Sequence, residues 1–339
     1  MRFLLTADPG LEDVTLDELR ERELFGEARP YGYGGLVFAE AREAAPLFAL
    51  RSVHHVVRFL GHARLSAPTL EAALWALSRF SLPGLGPGVR FAVRVYRRGK
   101  HDFKSPELER AYGAVLVERY RAPVDLEHPE FRVRVDLFED ALFLGIQLTD
   151  RALSLRYPKV YAPPASLKTS VAFGLLHLLG ARRGRLLDAF TGSGTIAIEA
   201  AQAFPGLEVL GIDKNPKAVL GARENARAAG VAGRVHFARG DARRLSEAFG
   251  VGSFDFVVAN PPYGKRLGRS ENLFRLYLEF FAEARQVLRP GGRLGFLVLK
   301  RGWVDRIVRR VGGFRLLRRR VLEIGGLYPG YFVFERSSD

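Results

Sequence analysis

Hydrophobic and polar positions follow different patterns in the two halves of the chain. From about Phe173 onward, short apolar runs alternate with segments of helical periodicity. The runs that predict buried strands are RLLDAF, LEVLGID, RVHFARGD, FDFVVAN and GRLGFLVL, and the predicted helices between them include 195–203 and 216–229. Strands that alternate with helices form parallel sheets covered on both faces, so this half predicts an α/β domain. FRLLRRRVLEI and GYFVFER predict an antiparallel pair after the last helix.

The first half has a less regular order of helices and strands. Helical periodicity covers 11–23, 69–79 and 105–120, whereas LVFA, 89–96, FRVRVDLF and ALFLGIQL have the alternation of strands. The last two strands are expected to pair around Glu139-Asp140. Three prolines in 157–165 indicate a connection between domains.

Composition narrows the classes of function. The chain has 339 residues, enough for two or three domains, and a formal net charge of +15, which suits a polyanionic partner such as RNA. The absence of cysteine excludes disulfides, thiolate metal sites and a cysteine nucleophile. No apolar run approaches the roughly 20 residues of a membrane span. We therefore expect a cytoplasmic protein. A monomer without a metal is also expected, although the sequence does not fix the oligomeric state.

A glycine-containing loop follows the first strand of the second half. The strand ends at Asp188, and the loop opens the helix that begins near Thr195. Small residues let the backbone approach a ligand, but Ala197 replaces the third glycine of a dinucleotide-binding loop. A carboxylate before the loop suits the ammonium group of S-adenosylmethionine, bound directly or through water. The predicted cofactor-binding residues here are Asp188, Phe190, Gly192, Ser193, Gly194 and Thr195.

The next two strands also end in acidic residues. Asp213, followed by Lys214 and Asn215, is placed to accept hydrogen bonds from ribose hydroxyls. Asp241, followed by Ala242, is placed to accept from the adenine amino group. Three carboxylates at consecutive strand ends predict a crevice that binds S-adenosylmethionine at the carboxyl edge of the sheet.

The fourth strand ends in Asn260-Pro261-Pro262-Tyr263-Gly264. Two prolines stiffen this turn and leave backbone carbonyls available as acceptors. We expect the Asn260 side chain, which also borders the cofactor, and the Pro261 carbonyl to accept the N–H groups of a planar amine, with Tyr263 stacked on the base. The motif fits adenine N6, guanine N2 and a glutamine amide equally well, so it predicts the chemistry and not the substrate.

A basic segment with interleaved aromatic residues, 90–104, is typical of an RNA-binding surface. The predicted RNA-binding residues are Arg94, Arg97, Arg98, Lys100 and Lys104. Arg90, Arg94 and Arg98 should share one side of a regular strand. A solvated basic face without a ligand is the alternative interpretation.

These motifs together resemble a known family. RVYRRGKHDFKSPELER, FRVRVDLFEDALFLGIQL, SLRYPKVYAPPASLKTSVAFGLL, DAFTGSGT and NPPYG occur in the order found in THUMP-domain RNA methyltransferases. With TADPGLEDVTLDEL at the start, nearly the whole chain resembles the tRNA guanine N2-methyltransferases that act at position 6 of the acceptor stem. One departure is the junction Arg156-Tyr157-Pro158-Lys159, where the family usually has an Arg-Gly-Tyr-Arg-like sequence.

The resemblance implies a fold and a domain order. It implies a ferredoxin-like α+β domain at 1–60, a THUMP RNA-binding domain at 61–155 and a linker at 156–172. A Rossmann-like class I methyltransferase domain with a seven-stranded, mostly parallel sheet would follow at 173–339. The THUMP domain would grip the tRNA 3′ end, and S-adenosylmethionine would be the cofactor.

Other functions remain open at this point. The same chemistry on ribosomal RNA is compatible with the motifs, and the catalytic motif alone would allow a DNA adenine N6 methyltransferase. A non-catalytic RNA-binding protein is a third alternative, although the intact Asp188, Gly194, Asp213 and Asn260 argue against it. Thiouridine synthesis and C5 pyrimidine methylation both require cysteine and are excluded.

Overall fold

The structure, a computed structural model, describes residues 1–164, 166–263 and 270–338 and divides into two units. The N-terminal unit comprises Met1–Ala7 and Thr15–Leu153, and the C-terminal unit comprises Asp8–Val14 and Ser154–Asp339. Each unit contains a seven-stranded sheet. No helix within the described ranges is long and apolar enough to cross a membrane.

The sheet of the N-terminal unit has the order β2-β3-β1-β4-β7-β6-β5 and is antiparallel except for the β5–β6 pair. Its strands are β1 (Arg2–Ala7), β2 (Phe25–Ala28), β3 (Leu36–Glu40), β4 (Val53–Arg64), β5 (Phe91–Arg98), β6 (Phe131–Phe138) and β7 (Ala141–Gln147). Its helices are α1 (Glu12–Arg20), whose first residues belong to the other unit, α2 (Leu70–Ser78) and α3 (Ser105–Tyr120).

Alternating side chains give the β5–β6–β7 region two different faces. Val93, Val95, Val133 and Val135 are buried in a cluster that also includes residues of α2 and α3. The predicted pairing of FRVRVDLF with ALFLGIQL is confirmed, because β6 and β7 are antiparallel around Glu139-Asp140. Glu139 occupies this turn with a φ of 52°.

Two predicted elements have different bounds in the structure. The predicted helix 11–23 spans only Glu12–Arg20, and Glu23 has a φ of 58°, which is incompatible with a right-handed helix. The predicted strand 89–96 begins at Phe91, because the Val89 N–H donates to the Gly86 carbonyl in a turn.

Two of the predicted domain limits fall within continuous secondary-structure elements. β4 crosses the predicted limit between 60 and 61, and the helix Thr169–Leu179 crosses the limit between 172 and 173. The four-part division of the chain therefore stays a prediction, whereas the two sheets belong to two compact units.

The sheet of the C-terminal unit has the order β10-β9-β8-β11-β12-β14-β13. The first five strands are parallel, and β14 is antiparallel to both of its neighbours. The elements are α4 (Thr169–Leu179), β8 (Arg183–Asp188), α5 (Thr195–Ala203), β9 (Gly206–Asp213), α6 (Pro216–Ala228), β10 (Val235–Arg239), α7 (Leu245–Phe249), β11 (Phe254–Ala259), α8 (Ser270–Val287), β12 (Leu288–Val298), α9 (Val304–Val311), β13 (Phe314–Val321) and β14 (Gly330–Arg336).

Helices cover both faces of this sheet, as the alternating pattern predicts. One core cluster includes residues of α4, α5 and α6, and the other includes residues of α8 and α9. The fold of this unit is therefore Rossmann-like, with helices on both faces of a mostly parallel seven-stranded sheet. Because the parallel strands share a direction, their carboxyl ends meet at one edge, where the predicted motifs lie.

Candidate active site

The loop between β8 and α5 requires both of its glycines. Gly192 and Gly194 have φ values of 53° and 81°, in the left-handed region that favours glycine. A Cβ on Gly194 would also lie 3.0 Å from Ala222 and from Phe237. The Gly194 N–H donates to the Thr191 carbonyl, which closes the turn immediately before α5. The loop thus brings backbone close to the edge of the sheet.

Asp213 connects this loop to the next strand–helix turn. Its Oδ2 accepts a hydrogen bond from the Gly192 N–H at 3.0 Å, and its Oδ1 accepts from the Asn215 N–H at 2.9 Å. The Asn215 side chain then caps α6 by accepting from the Lys217 N–H at 3.0 Å. One carboxylate therefore fixes the relative position of two loops at the carboxyl edge of the sheet.

Asp188 lies fully buried beneath the loop. Its Oδ2 accepts from the Thr191 hydroxyl at 2.9 Å, whereas Oδ1 has no hydrogen-bond partner among the described residues. Burial, with a smaller contribution from the charge of Asp213, raises the pKa of Asp188 to about 7. A cationic group nearby would favour the ionised form and satisfy this carboxylate.

Asp241 is already engaged by cations. Its carboxylate accepts from Arg243 Nε at 3.0 Å and Nη2 at 2.6 Å, and Lys214 Nζ lies 3.5 Å away. The hydrogen bond from Arg243 is the largest factor that holds the pKa of Asp241 well below its usual range. Its predicted contact with adenine stays a prediction, and Arg243 would share that carboxylate.

The turn after β11 is held from two sides. The Tyr263 hydroxyl donates to Asn260 Oδ1 at 2.7 Å, and the Tyr277 hydroxyl of α8 donates to the Pro262 carbonyl at 2.8 Å. Burial raises the pKa of Tyr263 to about 12, so this hydroxyl keeps its proton at neutral pH. Gly264, the last residue of the sequence motif, lies outside the described residues.

These groups line a cavity of about 570 Å³, a size typical of sites for small molecules and cofactors. Its lining contains every predicted catalytic and cofactor-binding residue except Asp188, which is buried beneath the loop, and Gly194, the last residue of the loop. The lining residues from those predictions are Phe190, Gly192, Ser193, Thr195, Asp213, Lys214, Asn215, Asp241, Ala242, Asn260, Pro261, Pro262 and Tyr263.

Part of the cavity wall comes from the predicted linker. Tyr161, Pro163, Ser166 and Leu167 line the cavity, although the sequence indicated only a connection there. Asn225 of α6 holds this segment, because its side chain accepts from the Tyr161 N–H at 3.0 Å and donates to the Tyr161 carbonyl at 2.7 Å. The small residues just before α4 were the only hint in the sequence that this segment lines a cavity, and no known motif spacing assigned them to the site. Ala165 is outside the described residues.

The junction residues that differ from the family's usual sequence also contact residues around the loop and in α5. Lys159 Nζ donates to Ser166 Oγ at 3.1 Å, to the Leu167 carbonyl at 2.5 Å and to Thr195 Oγ1 at 3.0 Å. Burial lowers the pKa of Lys159 to about 8. Arg156 forms an ion pair with the fully buried Glu199 of α5, with 3.4 Å between Nη2 and Oε1. The junction is therefore part of the C-terminal unit's structure.

The predicted RNA-binding residues lie on and after β5 in the N-terminal unit. Arg94 donates to the Leu126 carbonyl at 2.9 Å, and Arg97 donates to the Gly99 carbonyl at 3.3 Å. Arg98, Lys100 and Lys104 are exposed. Their role in binding RNA stays a prediction.

The residues present fit S-adenosylmethionine. The Asp213 carboxylate borders the cavity where ribose hydroxyls would donate, and a cationic ligand in the cavity would favour the ionised form of Asp188, which is buried beneath the loop. The cavity has room for a cofactor of this size beside Asn260. The same cavity is thus lined by the glycine loop, by Asp213 and by the Asn260–Tyr263 turn.

Comparison with known proteins identifies both parts of the chain. Residues 156–328 match the family model described as RMKL-like, methyltransferase domain, and residues 76–147 match the THUMP domain. The chain is 43% identical to tRNA (guanine(6)-N2)-methyltransferase of Thermus thermophilus, with 98% of each chain covered. It is 30% identical to the protein of that name from Archaeoglobus fulgidus, with 98% of this chain and 92% of the relative covered.

A solved structure agrees with these relatives. The crystal structure of TrmN from Thermus thermophilus superimposes with a TM-score of 0.80 at 40% identity, and 99% of each chain is covered. Similarity of this extent includes both units and the cavity-lining motifs. The chain is therefore a methyltransferase that belongs to the THUMP-domain tRNA (guanine-N2)-methyltransferase family.

Proposed function

We propose that this protein methylates the exocyclic N2 of guanine in tRNA, at position 6 of the acceptor stem, with S-adenosylmethionine as methyl donor. The proposal rests on the position of the Asn260–Tyr263 turn. This turn forms part of the wall of a cavity that Asp213 and the glycine loop also line. Two relatives that the chain matches over nearly its full length are named for this reaction, which supports guanine N2 over adenine N6.

The chain's own residues act on the target amine. S-adenosylmethionine supplies an electrophilic methyl group when it is bound. The lone pair of a guanine amine is delocalised into the ring, and a hydrogen bond from that amine to Asn260 Oδ1 returns electron density to nitrogen. The same bond orients the amine toward the methyl group, which is catalysis by proximity. The Tyr277 hydroxyl donates to the Pro262 carbonyl and so holds the turn in a fixed position.

The target base has to displace one contact before it can bind. In this structure the Tyr263 hydroxyl occupies Asn260 Oδ1, the acceptor assigned to the amine. Entry of the base breaks this hydrogen bond and frees the tyrosine ring to stack on the base, a contact worth roughly 1–3 kcal/mol. Extrusion of a paired guanine from the stem costs a few kcal/mol, which stacking offsets in part.

The test is methyl transfer to defined tRNA transcripts. Purified protein and radiolabelled S-adenosylmethionine are incubated with a transcript that has guanine at position 6 and with one that has adenine there. Mass spectrometry of nucleosides and of nuclease fragments should find N2-methylguanosine in the first transcript only, at position 6. Methyl on adenine N6, methyl at another guanine or no methyl in either transcript would refute the assigned substrate.

A further inference from the structure

A second group of cations lies beside the active-site turn, in the segment that follows β12. Residues 300–311 contain five basic side chains and one acidic side chain. Lys300, Arg301 and Arg306 are exposed, and none forms an ion pair with a residue whose side chain the structure describes. This part of the chain is outside the predicted RNA-binding segment on β5.

The topology places this group at the catalytic edge of the sheet. β11 and β12 are parallel neighbours, with Ala259 opposite Phe296. Asn260 directly follows β11, and Lys300 follows β12 by two residues, so both lie beyond the carboxyl ends of adjacent strands. Neighbouring strands are about 4.8 Å apart, which puts the two chain segments side by side.

Aromatic rings hold two of the cations in place. The Lys300 ammonium lies 5.8 Å from the centroid of the Trp303 ring, and the Arg306 guanidinium lies 4.8 Å from that of Phe274 in α8. The two rings meet edge to face at 5.5 Å. We call Lys300, Trp303, Phe274 and Arg306 the cation–aromatic surface. Cations stacked on rings lose less freedom on binding a ligand, and their hydrogen-bond donors stay directed outward.

The surface is also connected to the catalytic turn. Trp303 packs against the Tyr277 ring, with 6.2 Å between the ring centroids. The Tyr277 hydroxyl donates to the Pro262 carbonyl. A ligand on the cation–aromatic surface therefore lies one side chain away from the turn assigned to the target amine.

We propose that the cation–aromatic surface binds the phosphate backbone of the RNA strand that carries the target base. This inference rests on the proposed function, since it takes tRNA as the substrate. A base extruded into the cavity draws its flanking phosphates toward the carboxyl edge of the sheet. Lys300 and Arg306 would neutralise those phosphates, and Arg is suited to bidentate phosphate contacts. The contacts set position and not sequence.

The experiment compares two charge-matched double variants. The test variant is Lys300→Gln with Arg306→Gln. The control is Arg183→Gln with Arg234→Gln, because these exposed arginines lie at the amino ends of β8 and β10, at the opposite edge of the same sheet. Each variant removes two positive charges. Binding of a labelled tRNA transcript is measured at several salt concentrations, and calorimetry measures cofactor binding.

We expect the test variant to bind tRNA roughly 10- to 30-fold more weakly at about 0.15 M salt, with a salt slope shallower by about 1.4–1.8. The control should retain both values, and both variants should bind cofactor as the wild type does. At saturating tRNA, single-turnover methyl transfer by the test variant should approach the wild-type rate. Equal tRNA affinity and slope in the two variants would overturn the proposal. If the wild type binds tRNA but methylates no guanine N2 in it, the proposed function fails while the binding comparison still decides the role of this surface.

Discussion

In the C-terminal unit, polar side chains at the ends of the parallel strands line a cavity, whereas in the N-terminal unit a buried polar cluster lies within strands and its members bind one another. Asp213 and Asn260 belong to the first kind. Arg134 and Asp136, both on β6 and almost fully buried, belong to the second, with Nε and Nη2 of the guanidinium 2.7 and 2.9 Å from the carboxylate oxygens. The cavity-lining residues of one sheet thus lie at strand ends, whereas the buried ion pair of the other lies within a strand.

The internal cluster of the N-terminal unit includes side chains of four strands, β4 to β7. The Arg134 guanidinium lies 3.8 Å from the centroid of the Tyr96 ring, and its Nη1 donates to Gln147 Oε1 at 2.9 Å. His55 contacts Thr149 at 2.9 Å, and burial, followed by the charge of Arg134, lowers the pKa of His55 to about 4. This histidine is therefore neutral at physiological pH, as expected for a structural group.

The largest effect that we expect tests the structural role of this cluster. Asp136→Asn leaves the buried Arg134 without its counter-charge and should lower the free energy of unfolding of the N-terminal unit by about 3–5 kcal/mol. Hydrogen exchange of peptides from β5 to β7 in a urea series measures this unit separately. Cofactor binding to the C-terminal unit should not change.

A matched variant sharpens this test. Arg134→Met with Asp136→Leu removes both charges and should recover much of the lost stability. Unchanged protection of β5 to β7 in Asp136→Asn, together with loss of tRNA methylation, would instead make the cluster part of the functional surface and break the comparison between the two sheets.

The second prediction concerns the opposite kind of residue. Asn260→Ala should lower single-turnover methyl transfer by about 10²- to 10³-fold, because it removes the acceptor that aligns and polarises the amine. Stability, cofactor affinity and tRNA affinity should stay close to wild type, since Asn260 follows the last residue of β11 and lines the cavity.

Tyr263→Phe is the control for Asn260. It removes the hydroxyl that occupies Asn260 Oδ1 but keeps a ring that stacks on the base. We expect methyl transfer to change by only a few-fold, and a substrate with a mismatched target guanine to reduce any deficit. Wild-type turnover by Asn260→Ala would refute the proposed role of the amide.

Much of the fold and of the site was predictable from sequence, because local patterns specify both. The bounds of α3 were predicted correctly, β8 and β9 end at Asp188 and Asp213 as predicted, and β10 and β11 end two residues and one residue before Asp241 and Asn260. Glycine spacing and strand-end carboxylates are local signals. For this reason the loop at Gly192 and the turn at Asn260 could be recognised without tertiary information.

The rest depended on contacts between distant segments. No pattern in the prolines of the junction indicates that Tyr161 lines the cavity, because its attachment to Asn225 spans 64 residues. Charge counts likewise gave Arg94 and Lys100 equal weight as RNA ligands. The structure distinguishes them, since Arg94 donates to the Leu126 carbonyl.

The third prediction addresses Asp188, which is buried like a structural group and lies beneath the site. Its raised pKa, about 7, means that the folded state holds a proton between roughly pH 4 and 7 that the unfolded chain releases. Stability from this group therefore falls as the pH rises through that window. A cationic cofactor favours the ionised carboxylate, so its affinity should rise by up to about tenfold per pH unit below 7 and level off above.

Calorimetry of S-adenosylmethionine binding between pH 5.5 and 8, in buffers with different ionisation enthalpies, measures both the affinity and the proton release. Asp188→Asn should remove the pH dependence over this range. If the wild-type affinity were independent of pH and no proton were released, Asp188 would have only a structural role, and other residues would have to bind the cationic group of the cofactor.

The smallest expected effect concerns exposed cations of the N-terminal unit that do not belong to its buried polar cluster. Lys100 and Lys104 are exposed and form no ion pair with any residue in the described part of the chain, whereas Arg94 is bonded to the backbone of its own unit. Lys100→Gln and Lys104→Gln should each weaken tRNA binding by about five-fold at 0.15 M salt and reduce the salt slope by about 0.7–0.9. Arg94→Gln should change tRNA affinity less and lower the thermal stability of the unit instead. The same tRNA titrations, run beside thermal denaturation, measure both properties. If Arg94→Gln weakened tRNA binding with the full change in salt slope while the two lysine variants did not, internal hydrogen bonds would be a poor guide to which cations of a sheet contact RNA.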